Sequence, residues 1–359
     1  MTPPRTVLVV ITRRNGDVLL ATPLIRSLKR AWPAATIDAL VFEGTDGVLS
    51  ANSDLHRVLT IPLRPGLGEH GRLYARLFRR YDVALSLLTS DRPTLYASAF
   101  GRWRAGLQEE GGREAWKRWL LDRWVRFDNL DTHTVRMHLA LAQVLGVPIH
   151  PDVVVSWSTQ DAERVDELLR GKAPFAVLHP YPKFNYKKWH ASGWRDLAQW
   201  LNERGLHVVL TGGPEAMERE YVAEVAQQLS SPALNLTGEL SLPMLGALLS
   251  EAAIYVGPDT VATHMAAALG TPTVALFGPS NPVKWGPWPK GHPADRNPWR
   301  RVGSGHVGNV FLVQGEKSCV PCLLEGCGRH IESYSDCLQE LPASRVIAAA
   351  RALLDANTN

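Results

Sequence analysis

Three stretches of the chain carry residue types that could do chemistry. In Ile11-Thr12-Arg13-Arg14-Asn15-Gly16-Asp17-Val18-Leu19-Leu20 a β-rich run leads through a basic turn into a helical pattern. Asp17 stands at the start of that helix. It is either an N-cap accepting backbone N–H bonds or a general base that takes a proton from a substrate hydroxyl. Ile254-Tyr255-Val256-Gly257-Pro258-Asp259-Thr260-Val261-Ala262-Thr263-His264 repeats the strand–turn–helix plan. Its helix start, at Thr260 and Val261 with Asp259 as N-cap, would direct N–H groups at an anion. His264, one turn in, is either a satisfied buried histidine or a ligand contact. Two further Gly/Pro loops follow strands on the same expected edge, Thr211-Gly212-Gly213-Pro214-Glu215 and Gly278-Pro279-Ser280-Asn281-Pro282. Three such loops point to a nucleotide pocket. Lys187 and Lys188 follow another strand, where a lysine either neutralises a diphosphate or is a solvated charge. The third stretch is Cys319-x2-Cys322-x4-Cys327-x9-Cys337, which holds every cysteine of the chain. Four thiolates suit a tetrahedral structural zinc; an iron–sulfur cluster and disulfides are the alternatives.

The elements that must position these groups alternate. Strands are expected at Thr6–Ile11, Thr36–Phe42, Arg57–Ile61 and Asp82–Leu88, with helices near Val18–Trp32, Gly71–Arg80 and Thr132–Leu145. The stretch Gly146–Pro151 breaks the pattern. A second series then runs through strand Phe175–His179, helix Trp194–Arg204, strand His207–Thr211 and helix Glu215–Leu229. Strands at Ala233–Leu236, Ala252–Val256 and Thr273–Phe277 follow. Two such series predict two doubly wound α/β domains with the ligand cleft between them. The expected division is 1–150, 151–341 with the Cys-rich segment 319–337, and a closing helix and tail at 342–359. Pro23 is expected in the opening turns of its helix, where a missing N–H is tolerated.

Length and composition agree. The 359 residues fit about two domains, and 45% hydrophobic with 21% charged residues is ordinary for a globular chain. A net charge of +4 does not argue for nucleic acid. No apolar run approaches the ~18 residues of a membrane span, and a cytoplasmic location is the expectation. Gly303-Ser304-Gly305-His306-Val307-Gly308 matches G-x-G-x-x-G, but no strand precedes it and the sequence after it looks extended, so it fails the context of a dinucleotide fingerprint.

The 12 tryptophans are an excess over 8 Phe and 8 Tyr. Several fall in Arg113–Phe127, where Trp116, Trp119, Leu120 and Trp124 would share one face of a helix and Lys117, Arg118, Arg123 and Arg126 the others. The segment is either a core helix with solvated bases or a surface that docks an anionic lipid-linked acceptor at the inner membrane.

The stretch from Arg13 to Leu24, together with Val256–His264 and Phe277–Pro282, resembles the motifs of glycosyltransferase family 9, the ADP-heptose:lipopolysaccharide heptosyltransferases. Within it the chain looks closest to the later-acting, heptosyltransferase III-like members. Asn15 departs from the family pattern. The resemblance implies a GT-B fold of two facing Rossmann-like domains. It also implies inverting transfer of heptose from ADP-heptose to the lipopolysaccharide core on lipid A, at the cytoplasmic side of the inner membrane and without a catalytic metal. Asp17 matches the family's proposed base, with Arg13 and Arg14 beside it for the acceptor. Lys187, Gly212, Gly213, Glu215, Asp259, Thr260, Val261 and His264 match donor contacts: Lys187 at phosphate, Glu215 at ribose, Asp259 at the donor sugar. A family 9 enzyme using another nucleotide sugar, a GT-B-like nucleotide-sugar epimerase and a two-lobed sugar-binding protein are the alternatives. The acceptor position and oligomeric state are not encoded in these motifs.

Overall fold

Short runs of Val, Ile, Leu and Ala, each followed by a turn and an amphipathic helix, form parallel strands buried on both faces. The computed structural model describes residues 2–109 and 115–356. The chain divides into two units. One runs to Ser156 and takes back Pro293–Asn297; the other comprises Trp157–His292 and the residues from Pro298 onward.

The first unit holds a fully parallel sheet of β1 (Thr6–Val10), β2 (Thr36–Phe42), β3 (Arg57–Ile61), β4 (Tyr81–Ser86), β5 (Gly101–Glu109) and β6 (Arg123–Phe127), in the order 3-2-1-4-5-6. The second holds β7 (Phe175–Leu178), β8 (His207–Leu210), β9 (Leu234–Asn235), β10 (Ile254–Pro258), β11 (Thr273–Phe277), β12 (Gly305–Val307) and β13 (Val310–Gln314). Its order is 12-13-11-10-7-8-9. Without β12, which pairs antiparallel with β13, this is the same doubly wound order again. In such a sheet the ligand crevice lies where the strand order reverses, beside β1 and β4 in one unit and beside β7 and β10 in the other.

Several expectations are corrected. The helix expected at Val18–Trp32 is two helices, Asn15–Leu19 and Thr22–Ala31. Pro23 has no N–H for the Leu19 carbonyl, and the Thr22 hydroxyl donates to that oxygen instead at 2.7 Å. The restart puts Pro23 in an opening turn. The same hydroxyl accepts the N–H of Val154 at 2.8 Å, and Ser27 Oγ accepts that of His150 at 2.9 Å. The break at 146–151 is thereby fastened to the helix and lies inside the first unit. The Trp-rich stretch is no α-helix: Ala115–Leu120 is a 3-10 helix and Arg123–Phe127 is the edge strand β6. Arg113 and Glu114 lie outside the described residues. The helix Asp91–Phe100 and strand β5 were not foreseen. The closing helix, Ala343–Ala356, belongs to the second unit, where Val346, Ala349, Ala350 and Leu353 enter the core. The Gly303–Gly308 match forms the β12 side of a hairpin.

Candidate active site

In the first unit the chain leaves β1 at the reversal point and enters the helix Asn15–Leu19. Arg14 is its N-cap, and its side chain makes no cap bond. Asp17 therefore lies three residues into the first turn, not at the cap. Its side chain is largely buried, and Arg13 Nε stands 3.5 Å from Asp17 Oδ1. A carboxylate here gains from the helix N-terminus and from that guanidinium.

The second unit builds its site at its own reversal point. Lys187 comes from the loop after β7, and Asp259 from the turn after β10. The Lys187 ammonium lies 2.5 Å from Asp259 Oδ2. His264 Nε2 stands 3.7 Å from the other oxygen, Oδ1, and His264 Nδ1 is buried with no hydrogen-bond partner. Burial alone would raise the Asp259 carboxyl; the Lys187 ammonium and His264 outweigh it and hold the group well below the usual carboxylate range. The N-cap of the helix Val261–Leu269 is Thr260, not Asp259. As at any helix start, the N–H groups of the first turn have no partner within the helix; the Lys187 ammonium lies 3.4 Å from the Asp259 carbonyl, one residue before the Thr260 cap. Gly257 is required by close approach: a Cβ there would lie 2.1 Å from Tyr255 Oη, which bonds Thr263 Oγ1 at 2.9 Å.

Lys187 and Lys188 separate in role. The Lys188 ammonium lies 4.4 Å from the ring centres of both Tyr181 and Tyr221, and burial lowers its pKa. It is an anchor that leaves Lys187 as the lysine at the site. His179, at the end of β7, is pushed down to about 4 by burial and stays neutral; its Nδ1 is 3.0 Å from Thr211 Oγ1.

The acid on the β8 loop is also refined. Glu215 is the exposed N-cap of the helix Ala216–Gln227 and makes no cap bond. Glu218, missed from the sequence, folds back so that its carboxylate accepts the Gly213 N–H. Burial raises its carboxyl most, against that bond. A Cβ at Gly213 would strike this carboxylate at 2.6 Å. The signal available was spacing: an acid at the third residue after an N-cap reaches back over the turn.

None of the four cysteines is in a disulfide. Cys337 is buried; Cys319 and Cys327 are exposed. The Cys337 thiol is pushed up to about 12, by burial first and then by the charges of Cys322, Cys327 and Cys319. The Asp336 N–H donates to Cys327 Sγ at 3.4 Å. Four free thiols on one short segment are the right donor set for a tetrathiolate ion. Among the described residues no three potential ligands already converge on a point.

The Trp-rich stretch divides. Lys117 is buried, bonded to Asp91 Oδ1 at 2.7 Å and to the Thr89 carbonyl, and is structural. Trp119 is 90% exposed, with Trp116 and Trp124 partly so. Arg118 lies 5.9 Å from the Trp124 ring and donates to Gln108 Oε1 at 2.7 Å. Among the described residues no helix is long and apolar enough to cross a membrane.

A sequence profile of glycosyltransferase family 9 (heptosyltransferase) matches residues 70–296. The chain belongs to glycosyltransferase family 9. It is 29% identical to lipopolysaccharide heptosyltransferase 3 of Escherichia coli K12 over 294 residues, which span 77% of this chain and 83% of the relative. It is 30% identical to lipopolysaccharide heptosyltransferase 1 of Pseudomonas aeruginosa over 338 residues, 89% and 87% of the two chains. The solved structure of ADP-heptose lipopolysaccharide heptosyltransferase II from Escherichia coli has the same fold. Its TM-score is 0.74 at 23% identity, covering 99% of this chain and all of that one. As a family 9 member the protein is a glycosyltransferase with an α/β fold of parallel sheets, as the motifs implied.

Proposed function

We propose that this family 9 enzyme transfers heptose from ADP-heptose to the lipopolysaccharide core on lipid A, with inversion at the anomeric carbon. The observation that carries the reading is the Lys187–Asp259–His264 cluster beside the helix start at Thr260 and Val261. In this reading the ammonium and the helix N–H groups stabilise the departing ADP diphosphate without a catalytic metal. Asp259, held ionised, orients Lys187 and meets the donor sugar. Gly212 and Gly213 give the nucleoside a close backbone approach. Glu218, with Glu215 at its rim, serves the ribose.

Asp17 is the proposed base. An acceptor hydroxyl gives its proton to the Asp17 carboxylate as its oxygen attacks the anomeric carbon opposite the diphosphate. The C–O bond to ADP breaks with its electron pair, and ADP leaves. Arg13 and Arg14 bind anionic groups of the acceptor, and Arg13 also pairs with Asp17. Exposed Trp116, Trp119 and Trp124, with Arg118 and Arg123, hold the enzyme to the cytoplasmic surface of the inner membrane as a peripheral protein. We also assign Cys319, Cys322, Cys327 and Cys337 as thiolate ligands of one zinc ion, whose contribution when bound is structural cross-linking.

The experiment is transfer from ADP-heptose to a panel of truncated core acceptors, with UDP-sugars as control donors. Heptosylation of one core acceptor, with ADP released in equal amount, supports the reading. Conversion of a UDP-sugar without acceptor, or no preference for ADP-heptose, overturns it. Elemental analysis beside thiol titration tests the zinc: four freely titrating thiols and no metal remove it.

A further inference from the structure

Between Val320 and Cys337, both buried in the core, the Cys-rich segment buries little apolar surface of its own. Residues 319–335 contain no helix or strand, and Leu323, Leu324, Ile331 and Tyr334 are exposed. A stretch with so little apolar burial sits at the low end of local stability. Yet it is tied to the Lys187 loop and to the loop after β11, the strand next to β10. On the Lys187 side, Asn185 Nδ2 donates to the Glu332 carbonyl at 3.0 Å, and Gln339 Nε2 donates to the Lys188 carbonyl at 2.8 Å. A Cβ on Gly326 would lie 3.0 Å from that of Tyr186. On the side of the loop after β11, the Leu323 N–H donates to the Pro279 carbonyl at 2.9 Å. There Gly278 packs so closely that a Cβ would lie 3.0 Å from Cys337 Sγ and 2.8 Å from Leu338. Leu323 adjoins Cys322, Gln339 is two residues from Cys337, and Glu332 lies between Cys327 and Cys337.

We propose that the Cys319–Cys337 segment is a positioning element for the nucleotide site, so that occupancy of its four thiols is coupled to affinity for the donor nucleotide. The inference rests on the donor-site and tetrathiolate readings above. Drawing the four sulfurs around one ion fixes the positions of Leu323, Glu332 and Gln339, and these hold the Lys187 loop and the Gly278–Pro279 turn in register. Without the ion the ties remain, but their anchor is loose, and the loops must be ordered when the nucleotide binds. That ordering is taken from binding free energy. Coupling is reciprocal, so the nucleotide tightens the ion by the same factor that the ion tightens the nucleotide.

The test uses the full chain, zinc-loaded and zinc-stripped, with metal content measured in each. ADP affinity is read by calorimetry, and hydrogen exchange is followed across 184–188 and 278–282. Stripping is expected to weaken ADP binding about tenfold and to speed exchange in both loops. Gln339→Ala, which alters no thiol and no side chain assigned to the nucleotide, is expected to keep its zinc, weaken ADP binding, and respond less to stripping than the parent. Asn185→Ala gives a second route should Gln339→Ala not fold. Equal ADP affinity and equal loop exchange in loaded and stripped protein overturn the coupling while leaving both sites standing. A chain that takes up no zinc overturns the tetrathiolate reading, and the coupling with it. A zinc-loaded chain that binds no ADP overturns the donor reading.

Discussion

Replacing Lys187 with methionine tests the donor site through stability as well as activity. The Asp259 side chain is 9% exposed and that of Lys187 is 19% exposed, so the pair is largely out of water. Removing one partner of such a pair costs about 3–5 kcal/mol, because the other charge is left buried. His264 remains at 3.7 Å, which argues for the lower end, about 3 kcal/mol at pH 7. For a unit of this size that is a fall in Tm of about 6–12 °C. The pH dependence should change sign. In the parent the Asp259 pKa is depressed, so its contribution is present above the unfolded carboxylate value and lost as pH falls through the folded one. In Lys187→Met burial dominates and the pKa rises. The carboxyl then protonates on folding, and the deficit shrinks as pH falls below the new folded value and grows as pH rises. Calorimetric unfolding of both proteins between pH 4 and 8 should therefore show Tm values that converge in acid. Asp259→Asn in the Lys187→Met background should recover about half of the loss, since no charge is left buried. A Lys187→Met protein as stable as its parent at pH 7, or a gap constant with pH, would falsify the account of this pair.

Four further outcomes are expected. Asp17→Asn should fold and bind ADP as the parent does but lose about 10²–10⁴-fold in transfer rate; near-parent turnover removes Asp17 as base. Glu218→Ala should raise the donor KM about tenfold by freeing the Gly213 loop, with Glu215→Ala much milder; the reverse ranking returns the role to Glu215. Thr22→Val should destabilise by about 2 kcal/mol, by stranding the Leu19 carbonyl and the Val154 N–H, as read by urea unfolding. Arg118→Glu with Arg123→Glu should weaken sedimentation with anionic vesicles and leave neutral vesicles unaffected; unchanged binding removes the membrane surface.

Much of the candidate site's local structure was legible because it sits where local chemistry is strong. Gly257, Pro258 and Asp259 announce a tight turn, and both strand–turn–helix units lie at reversal points of their sheets. The caps were not legible, because Arg14 and Thr260 take them on backbone geometry that side-chain preference does not encode. Glu218 was missed because its role is a fold-back onto Gly213, visible only once the loop is built. The Trp-rich stretch misled because three tryptophans at helical spacing also suit a turn and an edge strand. There Lys117 is claimed by Asp91 and Thr89, partners distant in sequence. The register of Lys187 and Lys188 needed Tyr181 and Tyr221, two rings forty residues apart, to settle which lysine turned inward.

The order of the strands leaves each sheet with two open borders, and three of the four are guarded. In the second unit β9 has only two residues and β12 three, too little backbone to recruit a foreign strand. In the first, β6 places exposed Arg123 and Arg126 along its free side. Charge on an outer strand discourages the stacking that begins aggregation. Arg123, proposed to meet lipid, thus also discourages pairing between copies of the protein. Removing it by alanine would confound lost membrane contact with precipitation, whereas glutamate reverses the attraction to lipid and keeps the guard in place.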